Sequence, residues 1–368
     1  MRRHASTASL GRIAEEAGVS RATVSMALRN HPRIPAATRT RVQEIATRLG
    51  WKPNPLLAEV MTAIRAGQPP ADRVTLAWIT GHARRDGWQR EPFFRRCFEG
   101  AQARAAAAGY HLEHFWLGDA DRNAQRLGDI LVARGITGLV VSPLPKPESI
   151  PLPWEKFSSV GVAYTLIGPR LHRATDNHCA SARLAVACLH AAGRRRIGLA
   201  LTTDFHQRVN GLWTAGYLLE MQAAGLVEDT LIYRPDELHE ASLLAWVKRA
   251  RVDAVIGTDP NIATWLRRAG LKVPGQVAYA DLNLATTDGT VAGIYQDATS
   301  IGTCAIDLLA GQLLRHERGL PEKAKTLMID SRWVNGATAP RVQPADTPSA
   351  PPEPAPPPAV PALPVPFD

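Results

Sequence analysis

From residue 74 onward, short apolar runs of strand length alternate with helix-length segments almost to the end of the chain. "VTLAWIT" (74–80) precedes a helix predicted around 93–108, and "YHLEHFW" (110–116) precedes one around 121–134. "GLVVS" (138–142) and "VGVAYTLIG" (160–168) follow. A second series comprises a helix over 177–192, "RIGLAL" (196–201), a helix over 209–225, "TLIYR" (230–234) and a helix over 240–250. It continues with "DAVIGT" (253–258), a helix over 260–270, "QVAYADL" (276–282), "TVAGIY" (290–295), a helix over 298–317 and "KTLMID" (325–330). Strands separated by helical crossovers pair in parallel, with helices on both faces of the sheet, which is α/β architecture. The strands are too many for one small domain. The pattern therefore predicts two doubly wound lobes, with any ligand in the cleft where the carboxyl ends of the strands meet. The body is expected over 74–336, with lobe 1 at about 74–171 and 297–318 and lobe 2 at about 172–296 and 319–336. The proline- and alanine-rich stretch 337–368 lacks the apolar content to offset its ordering entropy and is predicted to be disordered.

The first 66 residues follow a different rule. They hold ten arginines and one lysine against Glu15, Glu16, Glu44 and Glu59, a net +7 of the chain's +9. A basic, all-α head on a nearly neutral body points to a polyanionic partner for the head alone. Within it, "SLGRIAEEAGVSRATVSMALRN" (9–30) reads as helix, turn, helix. Ser9 can cap a helix that places Leu10, Ile13, Ala14 and Ala17 on one face. Gly18 supplies the positive φ of the turn, and Val19 plugs the angle between the helices. Ser20 then caps a second helix, with Val24, Ala27 and Leu28 inward and Arg21, Ala22, Ser25, Met26 and Arg29 outward. A helix showing arginine and small side chains near its start suits insertion into a major groove, while Thr23, Ser25 and the helix N-terminus suit phosphates. A third helix, 36–50, turns Val42, Ile45, Ala46 and Leu49 inward and places Arg39 in the same DNA-facing set. The head is thus expected over 1–50.

Residues 51–66 carry too much apolar surface for a connector. Asn54 is a good N-cap, Pro55 suits the first helical turn, and Leu56, Val60 and Ile64 recur every four residues, flanked by Leu57 and Met61. One such short helix is unstable alone in water and needs a partner for its stripe. Residues 67–73 read as a linker.

Several function classes drop out. No GxG, GK pair, HExxH or GxSxG occurs, so dinucleotide, P-loop, zincin and nucleophile-elbow chemistries have no signature, and no catalytic residue is predicted. The eleven histidines and four cysteines show no metal-ligand spacing, so neither metal nor cofactor is expected. Dispersed cysteines suit reduced thiols in a cytoplasm-like compartment. No run of 18 apolar residues suggests a membrane span, and the N-terminus lacks the apolar core of a secretory signal.

"IAEEAGVSRATVSMALRN", "TRTRVQEIATRLGWKPN" and the two-lobed remainder resemble the lactose-repressor/galactose-repressor family of bacterial transcription regulators, over roughly residues 8–336. The resemblance implies a homodimer on palindromic double-stranded operator DNA, with a periplasmic-binding-protein-like body that takes a sugar or related small molecule. It places Arg21, Ala22 and Met26 at base-reading positions, Met26 standing where arginine is common, and Pro35 where a capping serine is usual. It makes 51–66 a hinge helix that folds on DNA and wedges into the minor groove, with Leu56, Leu57, Val60 and Met61 as candidates and Asn54 at its start. Val60 replaces the usual leucine and Ala58 the usual arginine.

For the cleft, the resemblance and the strand ends together nominate Asp281, Thr258 and Asp259 as acceptors for ligand hydroxyls. Trp213 stands where a ligand-binding arginine is usual, with Arg208 as a substitute. Thr80, His82, Trp88 and Phe94 follow the first strand, and Asp176, Asn177 and Gln296 lie at lobe crossovers. A helix-turn-helix fused to a sugar- or nucleotide-acting enzyme, and a constitutive DNA binder with a non-functional cleft, remain as alternatives.

Overall fold

The computed structural model describes residues 10–28, 34–49, 74–120 and 123–341. It divides into a head within Met1–Asp72 and a body within Arg73–Asp368. In the head, α1 (Leu10–Ala17), α2 (Arg21–Leu28) and α3 (Ala36–Arg48) bury Ile13, Ala14, Ala17, Val24, Ala27, Val42, Ile45 and Ala46 against one another, with Ile34 beneath them. The inward residues are those that the helical period selects. Ile13, Val24 and Val42 are fully buried, each worth about 1.5–3 kcal/mol of burial.

The body opens with β1 (Val74–Thr80), α4 (Pro92–Ala107), β2 (Tyr110–Trp116), α5 (Ala124–Ala133) and β3 (Gly138–Val141). Next come β4 (Glu148–Ser149), β5 (Ser158–Val162), β6 (Leu166–Gly168) and β7 (His172–Asp176). The chain continues through α6 (His178–Ala191), β8 (Ile197–Ala200), α7 (Thr203–Arg208), α8 (Leu212–Ala223), β9 (Ile232–Tyr233) and α9 (Glu240–Arg249). After β10 (Ala254–Gly257), α10 (Asn261–Arg268), β11 (Ala278–Asp281) and β12 (Ala292–Tyr295) come α11 (Ala298–Leu314), β13 (Thr326–Ile329) and β14 (Arg332–Val334).

Two six-stranded sheets result, in the orders β13-β7-β5-β3-β1-β2 and β14-β12-β11-β10-β8-β9. The first is parallel throughout, and the second is parallel except for the antiparallel edge strand β14. Each is covered on both faces, so its central strands are continuously apolar and buried, as in β3, β8 and β10. On one face of the first sheet α11 crosses α4 at backbone contact. A Cβ on Gly302 would collide with the Cys97 carbonyl, and one on Gly100 with that of Thr299.

The lobe boundaries differ from the sequence-based ones. β7, not foreseen as a strand, and β13 fall in segments expected in lobe 2 but extend the edge of the first sheet, with His172 paired to Val160 and Met328 to Thr175. The chain therefore crosses between lobes after Asp176, after Tyr295 and between Ile329 and Arg332. Apolar runs announce strands but not which sheet edge receives them, since that depends on pairing distant in sequence. "VGVAYTLIG" is two strands in different sheets, broken where Ala163 takes φ 59°. The helix expected over 209–225 starts at Leu212, because Asn210 (φ 53°) and Gly211 (φ 71°) end the unforeseen helix α7.

Candidate functional site

Two sites stand out, one in each unit. In the head, α1 ends in a Schellman turn: Gly18 at φ 64° donates to Glu15 O (3.3 Å) and Val19 N–H reaches Ala14 O (3.0 Å). That turn aims α2 away from α1. The Ser20 hydroxyl accepts from Thr23 N–H at 3.1 Å and lies 2.9 Å from the Thr23 hydroxyl, which caps α2 and gathers polar groups at its start. Arg21 and Ala22 are exposed, and Thr23, Ser25 and Met26 are half-buried. The Arg21 guanidinium rests over Gly11 of α1, a position a long side chain can leave at little cost. Met26 packs partly on the head core, so less of it faces outward than its register suggested. On α3, Arg39 is half-exposed, and Pro35 occupies the N-cap without a side-chain bond. Arg48 pairs with Glu16 at 2.9 Å on the surface, a tie worth at most ~1 kcal/mol. Ser9, Arg29, Asn54, Leu56, Leu57, Val60 and Met61 lie outside the described residues, as do the linker 67–73 and the stretch 342–368.

In the body, a cleft lies between the lobes. Its lining comes from segments that follow strands, where open α/β sheets place their ligands. Pro143 follows β3, Ala163 and Thr165 follow β5, Asn283 follows β11 and Gln296 follows β12. The first turn of α4 adds Phe93 and Phe94, α7 adds Phe205 and Arg208, and Val209 follows. Trp213 comes from the first turn of α8 and His178 from the start of α6. The Thr202 hydroxyl caps α7 by accepting from Phe205 N–H (3.3 Å), which fixes the helix that carries Arg208. Ala163 holds its left-handed backbone at the wall of the cleft, a conformation that costs a non-glycine residue about 1–3 kcal/mol and is common at binding sites.

Of the residues nominated from sequence, Phe94, Arg208, Trp213 and Gln296 meet in this cleft. The others do not line it. Thr80 is buried and bonded to His114 Nε2 at 2.7 Å. His82 stands behind Phe94, ring centroids 5.1 Å apart, and burial first and the Arg208 charge second hold it below the usual histidine range. Trp88 packs edge-on against Phe98 and His114. Asp281 is 3% exposed; its oxygens accept from Asn283 N–H (2.7 Å) and Tyr279 O–H (2.9 Å), and burial pushes its carboxyl up to about 6. Asp259 accepts from the backbone and side-chain N–H groups of Asn261, both at 2.9 Å, and its neighbour Thr258 is half-exposed. Sequence reasoning missed Phe93, Pro143, Ala163, Thr165, His178, Phe205, Val209 and Asn283. Phe93 and Phe205 carried a signal, as aromatics just after a strand or at a helix start. Ala163 and Pro143 carried none.

Polar bonds tie the crossovers together beside the cleft. Asp176, 1% exposed, accepts from Ser181 Oγ (2.8 Å) and from the Ser331 hydroxyl, so the first and third crossovers share one carboxylate. Asn177 donates to Asp330 at 2.9 Å. His178 lines the cleft while its Nδ1 lies 3.0 Å from Asp176 Oδ2, close enough for attraction but not aligned as a hydrogen bond. Across the lobes, Arg96 of α4 donates to the carbonyls of Ala285 (2.6 Å) and Leu284 (3.4 Å) and lies over the Tyr295 ring at 5.1 Å. Among the described residues no group of three His, Cys, Asp or Glu side chains is placed to hold a metal, and no helix is long and apolar enough to cross a membrane.

Comparison with known proteins agrees with this division. Residues 9–54 match the bacterial regulatory proteins of the lacI family, and residues 186–338 match the periplasmic binding protein-like domain. No curated protein sequence matches the chain closely enough to count as a relative. The fold is similar to that of the transcriptional regulator CelR in complex with cellobiose, at 22% identity and TM-score 0.58 over 90% of this chain and 99% of that one. It is also similar to the Lac repressor dimer bound to operator and the anti-inducer ONPF, at 17% identity and TM-score 0.53 over 90% and 99%. A third similar structure is a periplasmic binding protein/LacI transcriptional regulator from Alkaliphilus metalliredigens complexed with D-xylulofuranose, at 14% identity and TM-score 0.54 over 73% and 100%. The chain thus carries a domain of the bacterial regulatory proteins of the lacI family at residues 9–54, followed in sequence by a periplasmic binding protein-like domain at residues 186–338.

Proposed function

We propose that the protein is a homodimeric, cytoplasmic repressor without catalytic activity of its own, whose operator affinity is set by a small molecule in the interlobe cleft. The observation that carries this reading is the meeting of cleft and crossovers at His178. That residue lines the cleft and touches Asp176, which binds serines from two crossover segments. A ligand that bears on His178 therefore bears on the joint about which the lobes turn. Any difference in its affinity for two lobe arrangements becomes a coupling free energy with operator binding, reciprocal by linkage. On the DNA side, Ser20, Arg21, Ala22, Thr23, Ser25, Met26, Arg29, Arg39 and Asn54 form the contact set. Arg21 faces a guanine edge, and Ala22 and Met26 offer apolar contact to thymine methyls. Leu56, Leu57, Val60 and Met61 act at the minor groove.

The test is a duplex-binding titration by fluorescence anisotropy, using DNA from the region upstream of the protein's own coding sequence. Affinity for a palindromic site should fall by about 10³ or more between 50 and 200 mM salt. Replacing Val60 and Met61 by serine should weaken that affinity while leaving ligand binding intact. Salt-insensitive or absent binding to every duplex overturns the reading.

A further inference from the structure

Taking the cleft as the effector site, we infer that its ligand is a flat, apolar-faced ring carrying a single carboxylate, such as an arene carboxylate, in place of a polyhydroxylated sugar ring. The argument begins with the hydrogen-bonding groups on offer. A sugar's hydroxyls each bring a proton that needs an acceptor, and carboxylates serve best because they accept without competing as donors. Among the described residues no carboxylate lines this cleft. The two strand-end acids suited to that task are spent elsewhere. Asp281 is buried on Tyr279 and Asn283, and Asp259, bonded through Oδ1 to Asn261, stands outside the lining.

Beside the amides of Asn283 and Gln296, the lining presents two donors short of partners. Trp213 Nε1 is buried without a partner, in a side chain 2% exposed at the cleft wall. Arg208 makes no hydrogen bond to protein among the described residues. Its nearest opposite charge is Asp204, at 3.9 Å and on the solvent side. The guanidinium lies over the rings of Phe205 (5.2 Å) and Phe94 (5.8 Å), and its side chain is only 19% exposed. A cation so far withdrawn from water, with one long ion pair, is under-compensated, and an anion that reaches its N–H groups relieves that cost.

The walls decide the remainder of the ligand. Phe93, Phe94, Phe205 and Trp213 bring aromatic surface from both lobes, with Val209 and Pro143 between them. Such walls reward a ring with two apolar faces, and without a carboxylate among them they offer a sugar's hydroxyls only neutral acceptors. Trp213 itself stacks edge-on against His178 (5.2 Å) and is tilted against Phe205 (6.4 Å). A ring seated there is sensed next to the crossover joint.

The experiment measures binding to the full-length protein by tryptophan fluorescence and thermal shift, with benzoate, D-glucuronate and D-glucose as probes. Benzoate should bind and raise the melting temperature. Glucuronate, which has the charge without the flat apolar ring, should bind at least about tenfold more weakly, and glucose should give no shift. Arg208→Gln should weaken benzoate binding by about thirtyfold or more and Arg208→Lys by less, with the ligand-free melting temperatures of both near that of the wild type. Glucose binding tighter than benzoate, benzoate binding unaffected by Arg208→Gln, or no response to benzoate each overturns the proposal. Failure of the regulator reading looks different. Benzoate would then bind as described but leave operator affinity unchanged, whereas a sugar that shifts operator affinity would sink the ligand class alone.

Discussion

The head and the interlobe cleft are built by opposite means. The features that shape the helix-turn-helix each span a few residues: the turn at Gly18, the Ser20 cap and the helical spacing of Ile13, Ala14 and Ala17. The cleft takes one or two side chains from each of many segments between Phe93 and Gln296. The difference teaches where substitutions act. A change in the head alters a small core that serves one surface, while a change at the cleft alters a wall shared by both lobes and by the crossovers between them.

That contrast can be broken most sharply with one large-to-small substitution in each unit. Trp213→Ala, at a fully buried cleft wall, should destabilise the body by about 3–5 kcal/mol, and Ile13→Ala should destabilise the head by about 2–5 kcal/mol. Domain-resolved melting, with calorimetry for the body and helical circular dichroism for the head, should show each loss confined to its own unit. Ile13→Ala should abolish operator binding and spare the cleft. Loss of the body transition in Ile13→Ala would show that the two units are not energetically separate.

Asp281 offers a middle-sized effect that sharpens the cleft side. Its folded-state carboxyl, raised by burial to about 6, binds a proton more tightly than the same group in the unfolded chain. The folded form is therefore favoured at low pH, and that advantage is lost as pH rises from about 4 to 6, a swing on the order of 3 kcal/mol by neutral pH. In Asp281→Asn the Tyr279 hydroxyl can donate to the Asp259 carbonyl, 2.8 Å away, so the site keeps its bonds. Denaturant curves should show the variant more stable than the wild type at pH 7, with the gap closing by pH 4. A gap that widens on acidification would reverse the assignment. The smallest effect belongs to the cap of α2. Ser20→Ala should cost about 1 kcal/mol of head stability and weaken operator binding, measurable by anisotropy, without moving the body transition.

The sequence alone settled whatever depends on near neighbours. Most of the helix and strand order, the helix-turn-helix with its glycine turn and serine cap, and the two-lobed α/β class followed from period, charge and capping, because those signals act within a turn or two of the chain. Phe94 and Gln296 were legible as cleft residues because each follows a strand, and Trp213 and Arg208 because the resemblance puts a ligand-binding arginine at that place. Only the tertiary structure decided the rest. It moved β7 and β13 to the first sheet and bent the chain at Ala163. It also buried Asp281 against Tyr279 and Asn283 and left Asp259 bonded to Asn261, off the cleft lining. The same strand-end aspartate can face solvent, ligand or a buried hydroxyl. Which it faces is set by side chains arriving from other strands and helices, and their positions are fixed by packing over distances that no local pattern encodes.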